Sequence, residues 1–230
     1  MKKHIFNRTF AFGISRKALV AMAVCATFPV VALAGPSAGL GYSDIGMTGH
    51  SGRPGVTVTA GNLYSNRVVA SGSASVARGF YSMNASLGKL IPTGGTVSFE
   101  PYISMGFLNL NYQQRKTGYN TVTQNAGYGY SYTYQSPYSY TQRASIQDFY
   151  ALAGADMNIP LGQKVALQFG GGYGYTLMTY GGNGGSVYQG KAEAAFAIAP
   201  HVTANINVRY LHVPGASLTT EGVGLAYHFS

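Results

Sequence analysis

Along most of this chain, apolar residues alternate with small or polar ones at a period of two. At the C-terminal end Val223, Leu225, Tyr227 and Phe229 alternate with Gly222, Gly224, Ala226 and His228. Before them Val202, Ala204, Ile206, Val208 and Tyr210 alternate with Thr203, Asn205, Asn207 and Arg209. Farther upstream Val165, Leu167, Phe169, Tyr173 and Tyr175 share one parity, while Lys164, Gln168, Gly170, Gly172 and Gly174 share the other. Phe149, Met157 and Ile159 are set against Asp148, Asp156 and Asn158 in the same way. Successive side chains of a strand point to opposite faces, so each segment is predicted to be a strand with one apolar face. After residue 34 no stretch reaches the ~20 apolar residues of a membrane-crossing helix, and none holds a 3.6-residue period.

Alternation alone fits a soluble sandwich, and the second face decides. In water that face carries Lys, Glu, Asp and Arg. Here it is mostly Gly, Ala, Ser, Thr and Asn, with a few charges of both signs: Glu100, Asp148, Asp156 and Glu193 against Lys164, Lys191 and Arg209. Small residues and paired charges suit the inside of a narrow closed barrel, with the Val, Leu, Phe and Tyr face turned to lipid. A membrane-spanning sheet must close, because an open edge leaves unpaired backbone groups in hydrocarbon. The fold predicted is all-β, an antiparallel up-and-down transmembrane β-barrel. The seven charges are expected to form a structural network in its lumen.

Turn residues set the topology. Ile91-Pro92-Thr93-Gly94-Gly95, Ile159-Pro160-Leu161-Gly162 and Ala199-Pro200-His201 are compact breaks between alternating runs. They leave ten strands, near 38–45, 55–64, 67–77, 80–91, 95–112, 143–159, 163–180, 186–199, 200–213 and 217–229. Eight remain an alternative if no turn occurs at Arg78-Gly79 and the first strand lies outside the wall. Either even number puts both termini on the short-turn side, which in outer-membrane barrels is periplasmic.

Composition agrees. Only 9% of the 230 residues are charged, where about 25% is usual in soluble domains. The N-terminal 34 residues read as a secretory signal peptide: Lys2, Lys3, Arg8, Arg16 and Lys17 precede an uncharged run from Ala18 to Ala34, and Ala32-Leu33-Ala34 supplies the small-x-small cleavage triplet. A membrane anchor is the competing reading of that run. The mature domain is then 35–230, with Cys25 removed and no thiol left for a disulfide, a nucleophile or a metal. Five of the fifteen basic residues also leave with the leader, so the headline charge of +9 falls to +4. The remaining bases are scattered, which excludes a phosphate-tracking stripe and gives no case for nucleic acid.

Residues 113–143 form the longest connection, predicted as a loop. They hold Tyr119, Tyr128, Tyr130, Tyr132, Tyr134, Tyr138 and Tyr140 among Gly, Ser, Thr, Asn and Gln. Tyr with Ser and Gly is the composition of adaptable recognition surfaces, so these tyrosines are the candidate surface-contact residues. The plainer readings are a low-complexity spacer or a strand extension, since Gly127 to Tyr134 also alternates. Catalytic candidates are sparse: His50 with Ser51, His212 with Ser217 and His228 with Ser230 are the nearby His and Ser pairs, with Asp44 and Glu221 the conceivable orienting acids. The four histidines after residue 34 lack metal-ligand spacing, and the glycine-rich runs lack a phosphate-loop ending. No metal or cofactor is expected.

With these residues in view, the chain resembles small bacterial outer-membrane β-barrels of the opacity, OmpX and YfaZ-like superfamily. The resemblance spans the leader and the mature domain. It rests on the strand pattern and on Val223-Gly224-Leu225-Ala226-Tyr227-His228-Phe229, which looks like the terminal signal read by the barrel-assembly machinery, with Tyr227 and Phe229 its aromatics. It implies an outer-membrane location with periplasmic termini, and as partners membrane lipid, lipopolysaccharide and the assembly machinery. It carries over no binding or catalytic residue. The function expected is a surface scaffold whose Tyr-rich loop meets host, matrix or ligand. A narrow pore for small solutes is the alternative, and a lipid- or peptide-hydrolysing enzyme ranks behind both.

Overall fold

The computed structural model describes residues 35–48, 50–128 and 130–229. The expected leader with Ala32 and Ala34, and the terminal Ser230, lie outside the described residues. The strands are β1 (Gly35–Met47), β2 (His50–Leu63), β3 (Val68–Ala77), β4 (Phe80–Lys89), β5 (Ile91–Pro92), β6 (Ser98–Gly127), β7 (Tyr130–Leu161), β8 (Val165–Tyr180), β9 (Ser186–Ala199), β10 (Val202–Val213) and β11 (Ala216–His228). β5 continues β4 past Leu90 along the same neighbour, β6, so the wall has ten strands. All pairings are antiparallel, and β1 pairs with β11, which closes the barrel.

Closure can be followed residue by residue. From Gly35 the paired residues run through Leu63, Val69, Gly88, Tyr102, Gly154, Gly172, Gln189, Leu211 and Leu218, and return to β1 at Met47, twelve residues farther on. An even stagger lets every strand keep one face inward all the way round. With ten strands it corresponds to a tilt of about 40° and a backbone radius of about 10 Å, narrow enough for side chains to fill.

The Arg78-Gly79 break is a real turn, and it separates ten strands from eight. Gly79 sits at φ 67° between β3 and β4, and Asn111 N donates to its carbonyl at 2.7 Å. β1 is hydrogen-bonded on both sides, so it belongs to the wall. The termini meet at one end, where Phe229 N donates to Pro36 O at 2.9 Å.

The apolar parity faces outward, as the alternation predicts. Leu40, Val58, Met83, Ile103, Tyr173 and Leu225 are all more than half exposed. Phe99, Phe169, Tyr227 and Phe229 lie toward the terminal end and Tyr81, Phe107, Tyr188 and Tyr210 toward the other, the two-ended placement of aromatic girdles.

The inward face departs from expectation. Its half nearer the termini carries the predicted Gly, Ser, Thr and Asn, but the opposite half is an apolar layer of Ile45, Phe80, Leu108, Leu110, Ile146, Leu152, Val187, Leu211, Val213 and Leu218, with Tyr150 among them. These belong to the inward parity of seven strands and meet across the lumen. Close packing there needs glycine: Gly106 pairs with Tyr150, and a Cβ on Gly106 would collide with the Tyr150 ring. Tyr102 covers Gly154 in the same way. Each tyrosine fills the volume its partner leaves, the aromatic rescue of strand glycines.

Candidate functional site

Two places gather the chemistry of this chain: a polar row inside the barrel and the projecting hairpin of β6 and β7.

The polar row follows one line of paired residues across five strands. Glu100 on β6 stands opposite Asp156 on β7, Asp156 opposite Gly170 on β8, Gly170 opposite Lys191 on β9, and Lys191 opposite Arg209 on β10. Two acids and two bases are thus side by side, with a glycine between the signs. Like charges directly opposite are unfavourable. The row is held by contact between the halves: Lys191 Nζ reaches over Gly170 to Asp156 Oδ2 at 2.5 Å. A Cβ on Gly170 would occupy the Asp156 carboxylate position.

Neutral neighbours complete the network. Gln168 Nε2 donates to Asp156 Oδ2 at 3.2 Å, Asn205 Nδ2 donates to Glu193 Oε1 at 3.3 Å, and Arg209 donates to Gln189 Oε1 at 2.6 Å. Gln189 in turn donates to the Tyr102 hydroxyl at 2.8 Å, and Lys191 Nζ lies 5.6 Å from the centre of the Tyr102 ring. Five of the seven charges named from sequence therefore gather here: Glu100, Asp156, Lys191, Glu193 and Arg209. Asp148 is elsewhere, eight residues up β7 in the apolar layer, where Thr179 donates to its carboxylate. Lys164 lies in the β7–β8 turn, outside the strand ladders. Gln168, Gln189, Asn205, Tyr102 and Gly170 were missed. Their parity marked them as inward, but only register shows which carboxylate or base each one meets.

The second place is a ribbon. Residues 113–143 do not form a loop: β6 and β7 stay paired from Asn111↔Ser145 to Gly127↔Tyr130, with one irregularity near the tip. β4 leaves β6 after Leu110 and β8 leaves β7 at Gln147, so beyond those points the two strands have only each other. At about 3.3 Å per residue the ribbon projects roughly 50 Å.

Its two faces differ. Tyr132, Tyr134, Tyr138 and Tyr140 share the face that continues the lumen-facing parity, together with Lys116, Gly118, Val122 and Gln124. The rings of Tyr132 and Tyr134 are 6.0 Å apart and those of Tyr138 and Tyr140 5.8 Å. The four residues are 42–50% exposed, so nothing covers the ladder they form. Tyr132 donates to Gln124 Oε1 at 2.7 Å, fixing one ring. The other face carries Arg115, Thr117, Thr121, Thr123, Thr133 and Thr141, and the Thr123 and Thr133 hydroxyls are 3.2 Å apart. Tyr119 is on this threonine face, Tyr128 at the tip with φ 52°, and Tyr130 pairs with Gly127. Four of the seven candidate tyrosines therefore form one ladder, while Tyr119 lies on the opposite face and Tyr128 at the tip.

His212 and Ser217 are cross-strand partners on the outward face, with His212 Nδ1 2.8 Å from Ser217 Oγ and the Tyr188 ring stacked on the imidazole at 4.5 Å. Asp44 and Glu221 face each other across β1 and β11. His228 faces inward, its Nε2 2.9 Å from Thr203 Oγ1. Tyr227 and Phe229 both point outward with ring centres 5.0 Å apart.

No protein-family model matches this chain, and no curated protein matches it. Among solved structures it is similar to the KdgM porin in complex with disordered oligogalacturonate, at 11% identity and TM-score 0.41, covering 84% of this chain and 99% of that one. It is similar to the COG4313 outer membrane channel from Pseudomonas putida F1 at 9% identity and TM-score 0.41, covering 90% and 98%. It is similar to Ail, the attachment invasion locus protein of Yersinia pestis, in complex with the heparin analogue sucrose octasulfate, at 12% identity and TM-score 0.35, covering 86% and 100%.

Proposed function

We propose that this chain is an outer-membrane β-barrel that serves as a rigid base for a surface ribbon, and that the ribbon's tyrosine ladder contacts an extracellular ligand. The observation that carries this reading is the uncovered ladder Tyr132, Tyr134, Tyr138 and Tyr140 on a hairpin that leaves the barrel. Four flat rings with polar tips on a β-ribbon supply contact area at low entropic cost. The termini and the ribbon lie at opposite ends of the wall, so periplasmic termini place the ribbon outside the cell. Deleting Thr117 to Gln142 and closing the hairpin with Asn-Gly tests it. Cells carrying the shortened protein are expected to keep a folded barrel and to lose binding to immobilised matrix proteins and polysaccharides, and unchanged binding ends the reading.

A narrow pore for small solutes is the second reading, favoured by the similarity of this chain to a porin and an outer membrane channel. It has to account for the apolar layer, in which Leu108, Val187 and Val213 are fully buried and Leu110 nearly so. A solute crossing the lumen must displace these side chains. A reproducible, solute-selective current in planar bilayers would carry the pore reading over the scaffold.

A further inference from the structure

The ribbon leaves a strand edge open, and that edge is unusually unguarded. Asn111 N donates to Gly79 O, away from β7. In an antiparallel ladder alternate residues turn their backbone groups to the same side. Arg115, Thr117, Tyr119, Thr121 and Thr123 therefore direct N–H and C=O groups away from β7, along an edge that no strand covers above Leu110. Natural edges are blunted by charge, by proline or by shortness. On β7 Pro137 does this, since it pairs with Tyr119 and has no N–H to offer. β6 has no proline above Pro101, and from Thr117 to Gln142 the ribbon holds no charged residue.

We propose that the outer edge of β6 pairs antiparallel with the same edge of a second copy of this chain, anchored in an opposing membrane. Identical edges joined by a two-fold axis are self-complementary. Centred on Thr121, the pairing sets Thr121 against its copy, Tyr119 against Thr123 of the second copy and Thr117 against Asn125 of the second copy. That gives Thr and Tyr cross-strand neighbours with no like charges opposed. The orientation follows from the base of the ribbon. Copies side by side in one membrane run parallel, which brings Arg115 and Lys116 of each against their counterparts. Antiparallel copies carry those bases to opposite ends of the joint. The joint uses the ribbon's edge and leaves the tyrosine ladder free, so it stands or falls apart from the ligand reading.

Because the domain from residue 35 onward lacks cysteine, engineered thiols report the joint directly. Two cell populations, each carrying a Thr121→Cys variant with a different epitope tag, are mixed under mild oxidation. The proposal expects a disulfide-linked species bearing both tags, its loss on Thr123→Pro, and its absence for Thr133→Cys on the guarded β7 edge. Tyr119→Cys cells mixed with Thr123→Cys cells are expected to cross-link as well, which fixes the register and covers the case that Thr121→Cys assembles poorly. Cross-linking only within one population, equal cross-linking from Thr133→Cys, or no cross-link from either β6 set overturns it. Loss of ligand binding in a variant with the four ladder tyrosines changed to Ser, with cross-linking kept, separates failure of one reading from failure of the other.

Discussion

Lys191 and Asp156 form an ion pair at 2.5 Å although β9 and β7 are not neighbours in the wall. The lysine spans β8 over Gly170, which has no side chain to block it. Asp156 is 2% exposed, so losing its cation leaves a buried charge uncompensated. Breaking such a pair from one side costs about 3–5 kcal/mol, whereas replacing both partners by apolar residues is often nearly neutral. Lys191→Met is therefore expected to lower the denaturation midpoint in detergent strongly, and Lys191→Met combined with Asp156→Leu to recover most of it. Equal loss in the single and double variants would show that the pair is not what holds the row.

Gly106 and Tyr150 make a similar argument for packing. The ring lies on the glycine, so Gly106→Ala must push it into the apolar layer or out of its rotamer, at about 1–3 kcal/mol. Tyr150→Ala leaves a cavity worth about 3 kcal/mol or more. The two changes act on one volume. Their double variant is expected to be less destabilised than the sum of the singles, by a coupling of about 1 kcal/mol. Strict additivity in urea unfolding would mean the tyrosine packs elsewhere.

The strand grammar of the chain could be read directly, because alternation and turn residues are local properties. Ten strands, their approximate limits apart from the ribbon ends of β6 and β7, and the outward parity of Val58, Leu225 or Phe169 all follow from it. The apolar layer was hidden for a related reason. Ile45, Leu108, Leu110, Ile146 and Leu211 belong to the small and polar parity, and in the sequence they interrupt the alternation rather than extend it. Only the twelve-residue stagger brings these separate interruptions to one level of the lumen. The polar row was half visible. Parity put Glu100, Asp156, Lys191 and Arg209 inside, but their order around the wall depends on register, and the essential member Gly170 carries no chemistry to notice. The ribbon was legible in part: the alternation from Gly127 to Tyr134 pointed to a strand extension, but Tyr, Gly and Ser in quantity suggested a loop, and cross-strand pairs such as Thr123 with Thr133 are nonlocal.

The apolar layer also makes a prediction about conduction. Leucine, valine and isoleucine side chains packed across the lumen are expected to leave no continuous file for ions or water. The unmodified barrel is expected to give no stable current in planar bilayers, and Leu108→Gly with Leu211→Gly, which removes two large side chains from the layer, to give one. A conducting parent barrel, or a silent double variant that still folds, contradicts the seal.

The assignment of faces has its own test in a matched pair of substitutions. Val58 lies midway along β2 on the outward face and is 52% exposed, while its neighbour Thr59 points into the lumen. On a water-covered surface, Val58→Lys would be worth less than about 0.5 kcal/mol. Against acyl chains at mid-membrane the same lysine costs about 2–4 kcal/mol. Refolded into phosphatidylcholine vesicles and unfolded with urea, Val58→Lys is expected to lose stability in that range, and Thr59→Ser to lose little. A Val58→Lys barrel as stable as its parent would mean that the apolar face does not meet lipid, and with it the membrane reading of the wall would fail.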